Sequence, residues 1–213
     1  MSRFISGVAL TTAVVMGAAV PASSAPLQFG SDYFEYISDP GLSWTNAETA
    51  AASLSYLGAT GYLAVVTSAG ENNFLASNFT ISSSSFEGAW LGGECNPSAA
   101  CFWEVGSLAG QQFSQGQASV NSAYVNWGGI EPNNSPSAAY MNIGALFAGI
   151  GNGQWADAAN GVASPGDPIQ GYIVEFAVTP LPSTWTMLIA GFFGLGVIAY
   201  RGMKKNAAAL AAA

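Results

Sequence analysis

The sequence predicts an α+β domain with two helices, short antiparallel strands and a long loop region, followed by one C-terminal membrane-spanning helix. Three observations carry this expectation. The first half alternates strand-like and helix-like runs. The second half breaks into short apolar runs separated by Gly, Asn and Pro. All four cationic residues lie at the ends, as Arg3 and as Arg201, Lys204 and Lys205, with every one of the twelve acids between them.

Asp32–Ser38 is aromatic and roughly alternating, which reads as a strand. Trp44 to Leu57 carries apolar residues at 44, 47, 50, 51, 54 and 57, the helical period; Thr45 and Glu48 form a capping box at its start, and Gly58 stops it. Gly61 to Val66 is β-branched and apolar, a buried strand. Ser68 and Glu71 form a second capping box, opening a helix through Phe74 and Leu75. Capping accounts for Glu48 and Glu71 better than catalysis does. Strand-like runs follow at 89–93, 102–105, 111–113, 140–143, 154–155 and 171–176, and the last of them can pair with the first strand. The stretches 114–139 and 156–170 are long and irregular, and loops of that length in one domain are functional or ordered by a metal.

Composition narrows the function. The body, residues 26–179, has the size of one domain with its own core. It holds twelve acids and no Lys, Arg or His, so its formal charge is −12. That excludes nucleic acid, which is gripped by Lys and Arg on phosphates. It also excludes salt bridges within the body, leaving apolar burial, hydrogen bonds and Ca²⁺ to stabilise it. The absence of His and Lys removes most catalytic triads, Schiff bases and His-ligated zinc. Two carboxylates suffice for a glycosidase, and Glu131 with Asp157 is the one pair to consider. Cys95 and Cys101 predict a disulfide outside the cytoplasm, closing a small loop.

The ends predict export. Met1-Ser2-Arg3, an apolar run from Phe4 to Val20, and small residues at Ser23 and Ala25 are the parts of a secretory signal peptide over residues 1–25; an uncleaved anchor is the alternative. Thr184 to Tyr200 has no charge and, as a helix, would reach roughly 25 Å, just enough to span a bilayer. The basic cluster behind it should stay cytoplasmic. Pro180 and Pro182, the apolar span and the Arg201-led tail together resemble the PEP-CTERM sorting segment, with Leu181 where that family usually has Glu. The resemblance covers residues 180–205 and implies recognition by an exosortase and release to the cell surface or matrix; a plain tail anchor is the alternative. Residues 206–213 are a low-complexity tail.

Within the body, the order of landmarks resembles the C-type lectin-like domain. Trp44 opens the first helix, and Gly61–Ser68 precedes Glu71–Leu75. Trp90-Leu91-Gly92-Gly93 and Phe102–Val105 follow. The run Trp127-Gly128-Gly129-Ile130-Glu131-Pro132-Asn133-Asn134 comes next, then Gly153–Asp157 and Gly171–Phe176. The resemblance implies a C-type lectin-like fold over residues 26–179. It implies a sugar-gripping Ca²⁺ held by Glu131, Asn133 and Asp157, with Pro132 in the cis state. Ala156 stands where the family has Asn, and Ala138 and Ala139 where it has Glu, so the expected set is incomplete and Ca²⁺ binding weak. Trp127 and Trp155 could stack on a sugar ring, or anchor the loop from the core. Three function classes follow: a glycan-binding or adhesive module, an enzyme, and a matrix protein using the fold as scaffold.

Overall fold

The structure, a computed structural model, describes residues 25–79, 88–133, 139–144, 151–161, 169–178, 187–197 and 200–201. Residues 1–24 of the expected signal peptide (1–25), and Pro180, Pro182 and Ala138, lie outside the described residues. In chain order the elements are β1 (Leu27–Phe29), β2 (Asp32–Ser38), α1 (Trp44–Ala52), β3 (Ser55–Tyr56), β4 (Ala59–Thr60), β5 (Tyr62–Leu63), α2 (Ala69–Asn78) and β6 (Gly88–Cys95). They continue with β7 (Ala100–Trp103), a 3₁₀ turn (Gly106–Leu108), β8 (Gln112–Gln115), β9 (Ala118–Ser119), β10 (Ala139–Gly144), β11 (Trp155–Ala159) and β12 (Ile169–Phe176).

As expected, the last strand joins the chain's beginning: β12 runs antiparallel to β2, with Ile173 opposite Tyr36. On its other side β12 is parallel to β6, with Tyr172 opposite Trp90. β6 in turn pairs antiparallel with β7 and with β10, and β10 pairs with β11. Gly171 makes the β2–β12 contact possible, because a methyl group there would overlap the carbonyl oxygen of Ile37.

Strand alternation explains how one sheet serves two cores. Phe34, Met141, Ile143, Trp155 and Ile173 enter one cluster with Leu75 of α2, Trp103 and Phe113. Their neighbours Tyr172, Val174, Phe176 and Ala156 enter the other, which Trp44, Ala47 and Ala51 of α1 cover.

Two helix expectations need correction at their edges. The first helix is capped by Ser43, whose hydroxyl accepts from the Asn46 N–H at 3.3 Å, and not by Thr45 with Glu48. Burial of Trp44, whose indole N–H donates to the Leu91 carbonyl at 2.7 Å, requires the helix to begin there. That helix stops at Ala52, not Leu57. Residues 55–60 form the β3–β4 hairpin, turned by Leu57 (φ 49°) and Gly58 (φ 85°). Leu57 fits the helical period but is 64% exposed at the tip. The second cap stands as expected: Ser68 accepts from the Glu71 N–H, and the Glu71 carboxylate accepts from the N–H and hydroxyl of Thr67.

The expected strand 61–66 shrinks to Tyr62–Leu63, because beyond it the backbone bonds elsewhere: Ala64 N–H to the Ile173 carbonyl and Val65 N–H to the Glu175 carboxylate. The irregular stretches contain structure too, since β9 lies in the first, and β11 and the start of β12 in the second. The C-terminal residues 187–197 and 200–201 are helical and exposed. The expected membrane-spanning helix, 184–200, lies partly outside the described residues; among the described residues no helix is long and apolar enough to cross a membrane.

Cys95 and Cys101 form the expected disulfide, facing each other across the β6–β7 ladder. The connecting turn is already closed by the Asn96 carboxamide oxygen, which accepts from the N–H groups of Ser98 and Ala100. A short loop constrains little unfolded-chain entropy, so reduction should lower unfolding free energy by about 2 kcal/mol. Chemical denaturation with and without reductant measures this; an unshifted midpoint would show the turn needs no crosslink.

Candidate functional site

The loop before Glu131 is held at three points. Its base is pinned to β11, since Trp155 N–H donates to the Asn126 carbonyl and Gly128 N–H to the Trp155 carbonyl. A tight turn follows, with Gly129 at φ 53° and Glu131 N–H donating to the Gly128 carbonyl at 2.9 Å. From outside, the Gln117 amide donates to the carbonyls of Gly129 and Glu131, at 2.8 and 2.9 Å. Gln117 escaped sequence reasoning, because one Gln in an irregular stretch carries no periodic or motif signal.

The Glu131–Pro132 bond is cis, as the resemblance implied. The loop therefore doubles back, and its polar groups meet β11. The Asn133 amide donates to Glu131 Oε1 at 2.7 Å, and the Asn133 N–H donates to Asp157 Oδ1 at 3.0 Å. A longer bond of 3.4 Å runs from the Asp157 N–H to Glu131 Oε2. Glu131 and Asp157 are 4% and 5% exposed, whereas Asn133 faces solvent. Burial, followed by a hydrogen bond that the protonated Glu131 carboxyl donates to Asp157, raises the Glu131 pKa from 4.5 to about 7. Glu131, Asn133 and Asp157 thus converge as the sequence predicted.

Their chemistry does not fit a tight Ca²⁺ centre. Ca²⁺ takes 6–8 oxygens. Here two carboxyls and one carboxamide are available among the described residues, and three of the carboxyl oxygens already accept from N–H groups of Asn133 and Asp157. Ala156 is fully buried in the second core cluster and offers no side-chain oxygen. Among the described residues no group of three or more His, Cys, Asp or Glu could hold a metal ion.

Trp127 is corrected from ligand-stacking candidate to core anchor. It is 9% exposed, with one face against Phe113 (centroids 6.1 Å) and an edge-on contact to Trp155 (5.8 Å). Its indole N–H donates to the Ser114 hydroxyl at 3.2 Å. Trp155 is fully buried, its N–H donating to the Asn72 carboxamide oxygen at 2.7 Å, so neither ring presents a face to a sugar. Ile130, by contrast, is 82% exposed beside Glu131, an apolar side chain in solvent that the sequence reading passed over.

No family model matches the chain. The sequence is 32% identical over 149 residues to Halomucin of Haloquadratum walsbyi; the match takes in 68% of this chain, which spans 1% of that protein's length. Solved structures resemble it more broadly. The Ca²⁺-independent C-type lectin SPL-2 from Saxidomus purpuratus superposes with a TM-score of 0.52 at 16% identity, over 74% of this chain and 94% of that one. An SPL-1 complex with GlcNAc gives 0.51 at 18% identity, over 76% of this chain and all of the other. Human lithostathine gives 0.51 at 16% identity, over 74% and 98%. These likenesses show that the body has a C-type lectin-like fold.

Proposed function

We propose that the chain is an exported surface or matrix protein whose lectin-like body binds carbohydrate or another surface ligand through the Glu131–Asn133–Asp157 loop without a tightly held Ca²⁺. Export runs through the N-terminal segment. The C-terminal segment holds the chain at the membrane until an exosortase-type enzyme sorts it. The observation that carries the binding role is the convergence of the three side chains at the cis-proline loop, Asn133 facing solvent and Ile130 exposed beside them. Two structural likenesses support it, one to a protein complexed with GlcNAc and one to a lectin described as Ca²⁺-independent. The acidic body, free of Lys and Arg, favours neutral ligands over anionic ones.

Catalysis by the carboxyl pair is disfavoured. Glycosidases hold their two carboxyls roughly 5–9.5 Å apart to admit the sugar or a water. Here the Glu131 and Asp157 carboxyls hydrogen-bond each other.

A second reading, in which the body is only a matrix scaffold, is favoured by the way Glu131, Asn133 and Asp157 satisfy one another. A glycan array probed with the full chain, with and without chelator, separates the readings. Binding should persist in chelator, and Glu131→Ala should weaken it about tenfold by freeing the Asn133 amide. Loss of signal on chelation would restore a Ca²⁺ centre; no signal in either condition would leave the scaffold.

A further inference from the structure

A second cavity, of about 210 Å³, opens between the start of α2, the β7–β8 edge and the loop 120–124. It shares no residue with the Glu131–Asn133–Asp157 cluster. Its floor is aromatic: Trp103 and Phe113 are buried and stacked with centroids 4.4 Å apart, and Tyr124 leans edge-on against Trp155 at 5.4 Å. Its rim carries the carboxamides of Gln111 and Asn121 and the hydroxyl of Tyr124. None of these three side-chain groups hydrogen-bonds within the described protein, whereas the neighbouring Gln112 amide is committed to Ser114 and Gln115. Partial burial raises the Tyr124 pKa, so the hydroxyl keeps its proton and can both donate and accept.

The lip is held firmly in an unusual conformation. Asn121 (φ 52°) and Ser122 (φ 60°) are both left-handed, and Ala123 N–H donates back to the Val120 carbonyl at 3.0 Å, closing a tight turn. Asn tolerates that region, but Ser seldom adopts it, and such strain of order 1–3 kcal/mol collects at ligand clamps. Val120 N–H to the Phe113 carbonyl and the Ser119 hydroxyl to the Ala123 carbonyl fasten the turn to β8.

The cavity is smaller than the roughly 300–1,000 Å³ of sites for drug-sized ligands. No charged residue lines it. The partly exposed ring of Tyr124, above the buried Trp103 and Phe113, meets the C–H face of a pyranose, and a ring of neutral donor–acceptor groups meets its hydroxyls. We propose that this cavity binds one neutral sugar residue, independently of the Glu131 loop and of any metal. It is a second saccharide contact on the same face-forming loop region, and it stands even if the Glu131 cluster is purely structural.

The test titrates the full chain, in a detergent without a sugar headgroup and with chelator present, against methyl glycosides of N-acetylglucosamine, galactose and mannose and against glucuronic acid. The readouts are tryptophan fluorescence and saturation-transfer NMR. At least one neutral glycoside should bind at millimolar affinity, change the tryptophan fluorescence of the cluster beneath Tyr124, and outbind glucuronic acid at least tenfold. Tyr124→Phe, which removes one oxygen and keeps the ring, should weaken it about fivefold, and Gln111→Ala by a similar factor. No saturable binding by any neutral glycoside overturns the proposal. So does binding that both variants leave unchanged, which would move the contact elsewhere while sparing the proposed role of the Glu131 loop. Retained near-ultraviolet dichroism in each variant ties the loss to the cavity and not to unfolding.

Discussion

Trp155→Ala should cost the body about 3–5 kcal/mol, a large share of the roughly 5–15 kcal/mol that holds a domain of this size together. The side chain is fully buried on β11 and lies edge-on to Trp103, Phe113, Tyr124 and Trp127, with centroids between 5.4 and 6.1 Å. Removing it empties the junction where the sheet, α2 and the long loop meet. It also orphans Asn72, a 2%-exposed carboxamide that accepts from the Trp155 indole and donates to the Gly153 carbonyl. An unpaired buried amide adds about 1–3 kcal/mol of its own. Trp155→Phe should therefore recover part of the packing but not the Asn72 bond, and fall between the two. Guanidinium denaturation followed by near-ultraviolet dichroism measures all three proteins. A loss below about 1 kcal/mol for the alanine variant would mean that Trp155 is not the keystone of this cluster.

Stability should fall as pH rises from about 4.5 to 7, the reverse of the usual behaviour of acidic proteins whose carboxylates have cationic partners. Glu175 and Glu131, both raised to about 7, are the main causes. Glu175 is 6% exposed, and burial, acting first, raises its pKa from 4.5 to about 7 although Tyr62 and the Val65 N–H donate to it at 2.5 and 2.9 Å. Burial also raises Glu35 and Glu71, and one Glu35 oxygen is buried with no hydrogen-bond partner. Each of these groups holds its proton more tightly folded than unfolded. The stabilisation is therefore complete below the unfolded pKa and is lost as pH climbs through the folded one. For Glu175 the change is roughly 3 kcal/mol between those limits. Urea midpoints at pH 4.5, 5.5 and 7.5 check it, and Glu175→Gln should flatten the profile. Midpoints that rise towards neutral pH would show that these carboxyls are charged and paired in the folded state.

That pH behaviour was already implicit in the composition. With no Lys, Arg or His between residues 4 and 200, a buried carboxyl can find hydrogen bonds but never a counter-ion. The sequence also disclosed the strand that returns to pair with β2, the Ser68 cap, the cross-strand disulfide, and the residues that gather round Pro132. Each follows from a local rule: alternation of apolar side chains, a hydroxyl three residues before a Glu, two nearby cysteines, and an ordered series of landmarks.

Elsewhere local rules competed, and only packing could choose between them. Residues 53–57 fit a helical period, yet Leu54 and Tyr56 reach the second core cluster from a hairpin, so the helix gives way. Trp127 and Trp155 read as sugar platforms or, the better account, as core, and the enclosed space beneath the long loop took both. Tertiary structure alone decided whether Glu131, Asn133 and Asp157 would wait for an ion or bond one another. That outcome depends on the cis bend, the Gln117 clamp and the place of β11, which bring groups 24 or more positions apart to within 3.4 Å. A linear chain specifies which hydrogen-bonding groups exist; three-dimensional proximity determines which of them are already spent on each other and which, like those around the Trp103–Phe113 cavity, stay open to a ligand.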